Sequence, residues 1–326
     1  MANQRVERQL ENLKAIRAAG LCDAALKELR RALADKVNVI VAKAATIAAE
    51  WQANALLPNL IDAYHRLFVK ASESDPQCWG KNELSKCLKE LGVAESAVYI
   101  RGLTHFQWEN TWGGKTDTAA ALRSTCALAL VQCTDIPRHE TLLHLVTALT
   151  ESDANVRTDA ARALEQMNGR DVALLLRLKA RAGDKEARVT GQVLESLLAI
   201  EGAAGVPFVA DFLKNPDQEI CEESALALGA SRLPEAVESL KKAWLNPLGL
   251  RNGTTLLRAI SASRQDAALD FLLEQVKTAE QSAAEDVLWA LQLHRDSEDI
   301  VKRIAQAVSR RDDLQTAFRE IYSSRS

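Results

Sequence analysis

The residues best suited to chemistry lie in THFQWENTWGGKTD, residues 104–117, where His105 and Glu109 stand four apart beside Trp108 and Trp112. A histidine that titrates near neutrality, with a carboxylate close by, is the minimum equipment for general acid–base catalysis. Gln107 and Lys115 lie in the same stretch, and a second stretch, SESDPQCWGKN (residues 72–82), adds Trp79, Lys81 and Asn82. A lone histidine beside tryptophan more often packs through a hydrogen bond than transfers protons. We therefore read no catalytic residue and expect a non-enzyme. Other candidates are weaker still. No Ser, Cys or Lys stands in a recognisable nucleophile setting with a base. Gly202 to Gly205 lacks the lysine and the preceding strand of a phosphate loop. The six cysteines form no CxxC pair and no zinc-like spacing. Reduced, buried thiols are expected, with no metal and no cofactor.

What must position these residues is a repeat. Ile40, Leu84, Leu122, Val156, Val189, Ile220 and Leu256 each open the same apolar pattern, at successive spacings of 44, 38, 34, 33, 31 and 36 residues. Positions +4, +7 and +8 from each start are small or apolar: Cys126, Ala129 and Leu130 after Leu122; Ala160, Ala163 and Leu164 after Val156. Val193, Ser196 and Leu197 follow Val189, and Ser224, Ala227 and Leu228 follow Ile220. That is one stripe of a helix, recurring at the period of two-helix modules. Asp153 and Asp217 stand at N-cap positions, and Asn168-Gly169 and Glu201-Gly202 supply helix stops. Pro58 falls in a first turn, and Pro137, Pro207, Pro234 and Pro247 fall at helix starts or in turns. No strand-like alternation is apparent. The class is all-α, a right-handed α-solenoid of about eight antiparallel helix pairs, residues 1–326, each module burying its apolar face on its neighbours.

The expected organisation is a capping helix over 1–20, irregular repeats over 21–135, regular repeats over 136–295 and capping helices over 296–326. The irregular part carries insertions at 72–82 and 104–117 in adjacent modules, which tend to project from one face. Three of the six tryptophans lie in them, with Trp51 just upstream. Two readings stay open. The tryptophans form a binding surface whose polar neighbours orient a partner, or they fold back as a satellite core over irregular packing.

SDANVRTDAARALEQMNG, residues 152–169, resembles the second helix of a HEAT repeat of the phycobilisome-lyase-like kind, through Asp153, Val156, Arg157, Ala160, Ala161, Ala163, Leu164 and Gly169. PDQEICEESALALGASR, residues 216–232, is a second copy with Cys221 where arginine is usual. The resemblance, shared with bacterial HEAT-repeat proteins, covers about two thirds of the chain and implies the fold more than a function. HEAT-repeat deoxyhypusine hydroxylases carry His-Glu dyads at the heads of several second helices. Here the corresponding positions read Ile220-Cys221-Glu222 and Val156-Arg157, and His139-Glu140 begins a first helix, so a di-iron site is not expected. HEAT-like DNA glycosylases need a basic concave face. Arg157, Arg162, Arg188, Arg251 and Arg258 are interrupted by Glu222 and Glu223, which disfavours nucleic acid. No motif for bilin handling is present.

Charge is nearly balanced, 41 Lys plus Arg against 44 Asp plus Glu, which gives no footprint for a polyanion. The start shows no apolar signal region, and no stretch reads as a membrane span. The chain is expected to be a cytoplasmic monomer that binds a protein partner as an adaptor or scaffold; the alternatives are a small-molecule or enzymatic site built from His105, Trp108, Glu109 and Trp112, and nucleic-acid binding. Its contact residues would be Trp79, Lys81, His105, Gln107, Trp108, Glu109 and Trp112, with Arg157 on the concave face.

Overall fold

The computed structural model describes residues 2–246 and 253–322; Pro247 and Arg251 lie outside the described residues. Packing divides the chain into two compact units, Met1–Met167 and Asn168–Ser326, within the run of regular repeats.

In the first unit, α1 (Ala2–Ala19) lies on α3 (Asn38–Glu50), and four helix pairs follow. They are α2 (Asp23–Leu33) with α3, α4 (Leu57–Arg66) with α6 (Trp79–Glu90), α7 (Ser96–Leu103) with α8 (Ala120–Leu130), and α9 (Arg138–Leu149) with α10 (Ala154–Met167). A single-turn helix, α5 (Ala71–Ser74), precedes α6. The second members stack in order, α3 on α6, α6 on α8 and α8 on α10. α1 buries Leu13 and is fastened by Arg17, whose guanidinium donates to both oxygens of Glu50 at 2.7 and 2.6 Å. Gly20 ends it at φ +89°, where a side chain would be strained.

The second unit repeats the arrangement: α11 (Arg170–Ala182) with α12 (Ala187–Glu201), α13 (Val206–Ala210) with α14 (Gln218–Ser231), and α15 (Pro234–Trp244) with α16 (Gly253–Ala262). Then come α17 (Asp266–Thr278) with α18 (Gln281–Leu291), and α19 (Glu298–Val308) with α20 (Gln315–Tyr322). Here α12, α14, α16, α18 and α20 form the stacked layer.

The stripe read from the sequence is the core. Ile40, Leu84, Leu122, Val156, Val189 and Leu256 are buried, as are the +4, +7 and +8 residues named above; Ile220 is half-buried. Small residues at those positions let helix axes approach closely, which raises the number of atoms in van der Waals contact. The caps behave as expected: Asp153 Oδ1 accepts from the N–H of Asn155 at 2.8 Å, and Asp217 Oδ1 from that of Glu219 at 2.9 Å.

Several expectations need correction. The fold is all-α apart from a β-hairpin, β1 (Trp108–Thr111) antiparallel to β2 (Gly114–Asp117), inside the second insertion. The first insertion is mostly helical, because it holds α5 and the start of α6 at Trp79. After the hairpin, Asp117 Oδ1 accepts from the N–H of Ala119 at 3.1 Å, and α8 runs from Ala120 to Leu130. Cys22 is exposed and caps α2 through its sulfur, while the other five cysteines are buried, and none of the six is in a disulfide. Ala187–Lys214 is apolar and long enough to cross a membrane by length and composition. In the fold it is broken at Gly202 (φ +58°) and restarts at α13, and α12 and α13 bury Val189, Val193, Leu197, Val206 and Val209 within the unit.

One close helix approach in the second unit is testable. A Cβ on Gly229 of α14 would stand on the main chain of Ala259 in α16, which cannot swing aside. Gly229→Ala should lower stability by about 1–3 kcal/mol despite alanine's better helix propensity, read as a lower urea midpoint at unchanged m-value.

Candidate functional site

The hairpin stands where the third repeat joins α7 to α8. Its turn is Trp112-Gly113, and Gly113 and Gly114 take φ of +105° and +147°, values that strain any other residue. Pairing Trp108 with Asp117 and Asn110 with Lys115 puts these four on one face; Glu109, Thr111 and Thr116 share the other. Thr111 and Thr116 hydroxyls bond each other at 3.0 Å on that second face.

The second face is fastened inward. Glu109 accepts from the N–H of Gln77 at 2.8 and 3.0 Å, from Thr118 Oγ1 at 3.1 Å, and from the Gln107 amide. Gln107 also donates to the carbonyl of Asp75 at 2.8 Å and is buried. Asp75 is the centre of this network. Its Oδ1 accepts from Gly80 N–H at 2.7 Å and from the Asn38 amide at 2.8 Å; its Oδ2 accepts from Lys81 N–H at 2.9 Å and pairs with Lys81 Nζ at 3.0 Å. Both side chains are wholly buried, and Lys81 Nζ also donates to the carbonyl of Leu67. Asp75 thus caps α6 and ties it to α3 and to the hairpin. The intervening Gln77 and Cys78 hold φ of +58° and +57°. Such left-handed non-glycine residues cost on the order of 1–3 kcal/mol each and persist only where surroundings hold them.

The base of the hairpin is held by Arg123 of α8, which is buried. Its guanidinium pairs with Asp117 at 2.6 Å and Glu151 at 3.0 Å, donates to the carbonyl of His105 at 3.0 Å, and stacks over Phe106 at 4.1 Å. Arg123 is the +1 residue of its repeat, after Leu122. The equivalent residue in α10, Arg157, donates to the carbonyls of Glu151 and Ser152 at 2.8 and 2.7 Å, and in α14 Cys221 donates to that of Leu213 at 3.0 Å. In these three helices the +1 residue holds the segment that leads into its own helix. In the third repeat that segment is the hairpin.

The candidate residues sort themselves by this network. Lys81, Gln107 and Arg157 are buried and spend their polar groups on the fold; Glu109 does the same from the hairpin's inner face. His105 and Glu109 do not meet. His105 Nε2 lies 3.2 Å from Gln107 Oε1, and its ring packs edge-on to Phe68. Burial lowers the pKa of His105; Lys81 and Arg123 lower it further against the opposing Gln107 hydrogen bond and Asp117. Burial also pushes the Cys78 and Cys126 thiols up to about 12, so neither is a thiolate near neutrality. Among the described residues no group of three or more His, Cys, Asp or Glu is placed to hold a metal ion.

The tryptophans go the other way. Trp112 is 107% exposed, Trp108 59% and Trp79 49%, joined by Phe106 at 48%. The satellite-core reading fails for the residues that prompted it. The gap is closed instead by Phe68, Tyr64 and the buried polar residues. Asp75 and Arg123 were not singled out from the sequence. Arg123 had a signal, its position one residue after Leu122 matching Arg157 after Val156; Asp75 had none beyond preceding a proline.

No protein-family model matches the chain, and no curated protein matches it. The chain is similar to several solved structures. The complex of CpcE and CpcF of phycocyanin lyase from Nostoc sp. PCC7120 is 20% identical over 78% of this chain and 94% of that one, with a TM-score of 0.38. Human deoxyhypusine hydroxylase in complex with glycerol is 16% identical, covering 90% and 91%, with a TM-score of 0.29. An engineered protein is 18% identical, covering 96% and 91%, with a TM-score of 0.37.

Removing one partner of a buried ion pair leaves the other charge unsatisfied. Asp75→Ala should cost about 3–5 kcal/mol in urea unfolding, and Asp75→Ala with Lys81→Met should recover part of it. The hairpin should also loosen in acid. Burial raises the Asp117 carboxyl, but Arg123 and the N–H groups of Gln107 and Ala119 outweigh it, leaving the pKa below the ordinary 3.8. Both Asp117 and His105 have folded pKa values below their unfolded ones, so each contributes stability that is present at higher pH and lost on acidification. His105 loses its share as pH falls below its ordinary value of 6.5 and Asp117 as it falls below 3.8. Tryptophan fluorescence should report two steps, the lower absent in Asp117→Asn.

Proposed function

We propose that the chain is a non-catalytic adaptor that binds a protein partner, with the Trp108–Trp112 hairpin as its specific contact element. One observation carries this reading: two tryptophans project from a hairpin whose inner face and base are fastened by buried charges. Tryptophan offers large contact area with only two side-chain torsions to freeze, and it is enriched among residues that dominate binding energy. A fastened hairpin reduces the ordering cost on association. Trp79, which opens α6 two residues after the Gln77 held by Glu109, extends the aromatic surface. The side chains that would have done acid–base work are committed to Gln107 and to the hairpin's own support, which favours binding over catalysis. We read the molecule as a monomer of the cytoplasm without a cofactor. A second contact surface would be the outward side of the second helices within the second unit, where Arg188 stands among Glu195 and Glu222. That mixture suits a protein better than a polyanion.

Affinity capture with the full chain tests the reading, comparing wild type with a Trp108→Ala, Trp112→Ala variant. Both side chains are exposed, so the variant should unfold within about 0.5 kcal/mol of wild type. Proteins recovered by wild type and lost from the variant support the proposal. Equal recovery by both removes the hairpin from the contact.

A further inference from the structure

The ladder of the hairpin leaves one edge chemically specific. The N–H of Thr118 donates to the carbonyl of Gln107 at 2.9 Å, which sets the phase of the antiparallel pairing. Counting by twos, Gln107 with Thr118, Glu109 with Thr116 and Thr111 with Gly114 are the hydrogen-bonded pairs. The N–H and C=O groups of Trp108 and Asn110 therefore point away from β2. Among the described residues no backbone group outside the hairpin and no side chain bonds them.

An open edge normally carries a guard: lysine, proline, a bulge or a covering element. The β2 strand, Gly-Lys-Thr-Asp, has Lys115 and a glycine at positive φ. The β1 strand, Trp-Glu-Asn-Thr, has none of these, and its one charge, Glu109, is turned inward onto Gln77. On the outward face, Trp108 shares its side with Asn110 and Lys115, and Lys115 is exposed with no ion-pair partner among the described residues.

We propose that the outer edge of β1 receives an extended segment of the partner protein as a third strand. This rests on the adaptor reading and names the kind of partner it fits. Main-chain groups of Trp108 and Asn110 pair with the segment, and Trp108 and Trp112 cover its alternate side chains. An acidic residue of the segment meets Lys115. Strand addition takes affinity from main-chain hydrogen bonds and specificity from pockets or platforms for alternate side chains.

The test uses the full chain and a phage-displayed library of random dodecapeptides as probe. Selected peptides are synthesised and titrated against wild type, the Trp108→Ala, Trp112→Ala variant, Asn110→Pro and Lys115→Glu. Proline at 110 removes an N–H that the β2 ladder does not use, as edge strands tolerate. N-methylation of alternate peptide residues measures the same hydrogen bonds without altering the protein. The expected result is a tenfold or greater rise in Kd for the tryptophan variant, for Asn110→Pro and for one N-methyl register but not the other. Acidic peptides should also weaken several-fold against Lys115→Glu. Tryptophan-dependent peptides that tolerate both N-methyl registers within twofold would overturn strand addition while leaving the docking role of the hairpin. A library yielding no tryptophan-dependent peptide would overturn both.

Discussion

Asp75 is the point on which the irregular half of the first unit depends. One wholly buried carboxylate caps α6, accepts from Asn38 of α3, and pairs with Lys81, while its own carbonyl receives Gln107 from the second insertion. A carboxylate taken out of water loses several kcal/mol of solvation, and it stays charged inside only where donors surround it. Here four donors do so. That requirement explains the left-handed Gln77 and Cys78, since the chain must turn tightly for Asp75 to face back onto the helix it precedes. The two insertions are thus one body rather than two loops.

A second buried charge completes the support by using the repeat's own habit. In α10 and α14 the residue after the first apolar position of the stripe bonds the segment that enters the helix. In α8 the same position is Arg123, and the segment it holds is a hairpin instead of a short turn. The aromatic tip is therefore grafted onto a place that α10 and α14 also stabilise through the residue at the same position. In α12 the position is Thr190, whose hydroxyl is buried and lacks a hydrogen-bond partner, consistent with a side chain too short to span the same gap.

These two anchors separate what holds from what is held out. Polar residues that read as ligand-orienting (Lys81, Gln107, Glu109) are the fastening, and the tryptophans that could have been filler are the exposed surface. The inversion follows from geometry. A two-stranded ribbon has only two faces, and once Glu109 is drawn inward by Gln77, pleat alternation sends Trp108 outward.

The helical repeat was legible in the chain because period-3.6 stripes and caps are local consequences of burial, and Val156, Ala160, Ala163 and Leu164 announce a core face without reference to distant residues. The break at Gly202 and the ends at Asp153 and Asp217 were legible for the same reason. The hairpin was not. Only four residues per strand, carrying Trp, Glu, Asn and Lys, leave no hydrophobic alternation to detect, and their pairing is stabilised by Arg123 and Asp75. Whether a tryptophan in an insertion faces inward or outward is decided by partners 30 or more residues away, such as Gln77 for Glu109. Sequence by itself determined the modules, their borders and the place of the insertions. Tertiary structure alone decided which insertion residues support and which project, because that choice depends on buried charges meeting across the repeats.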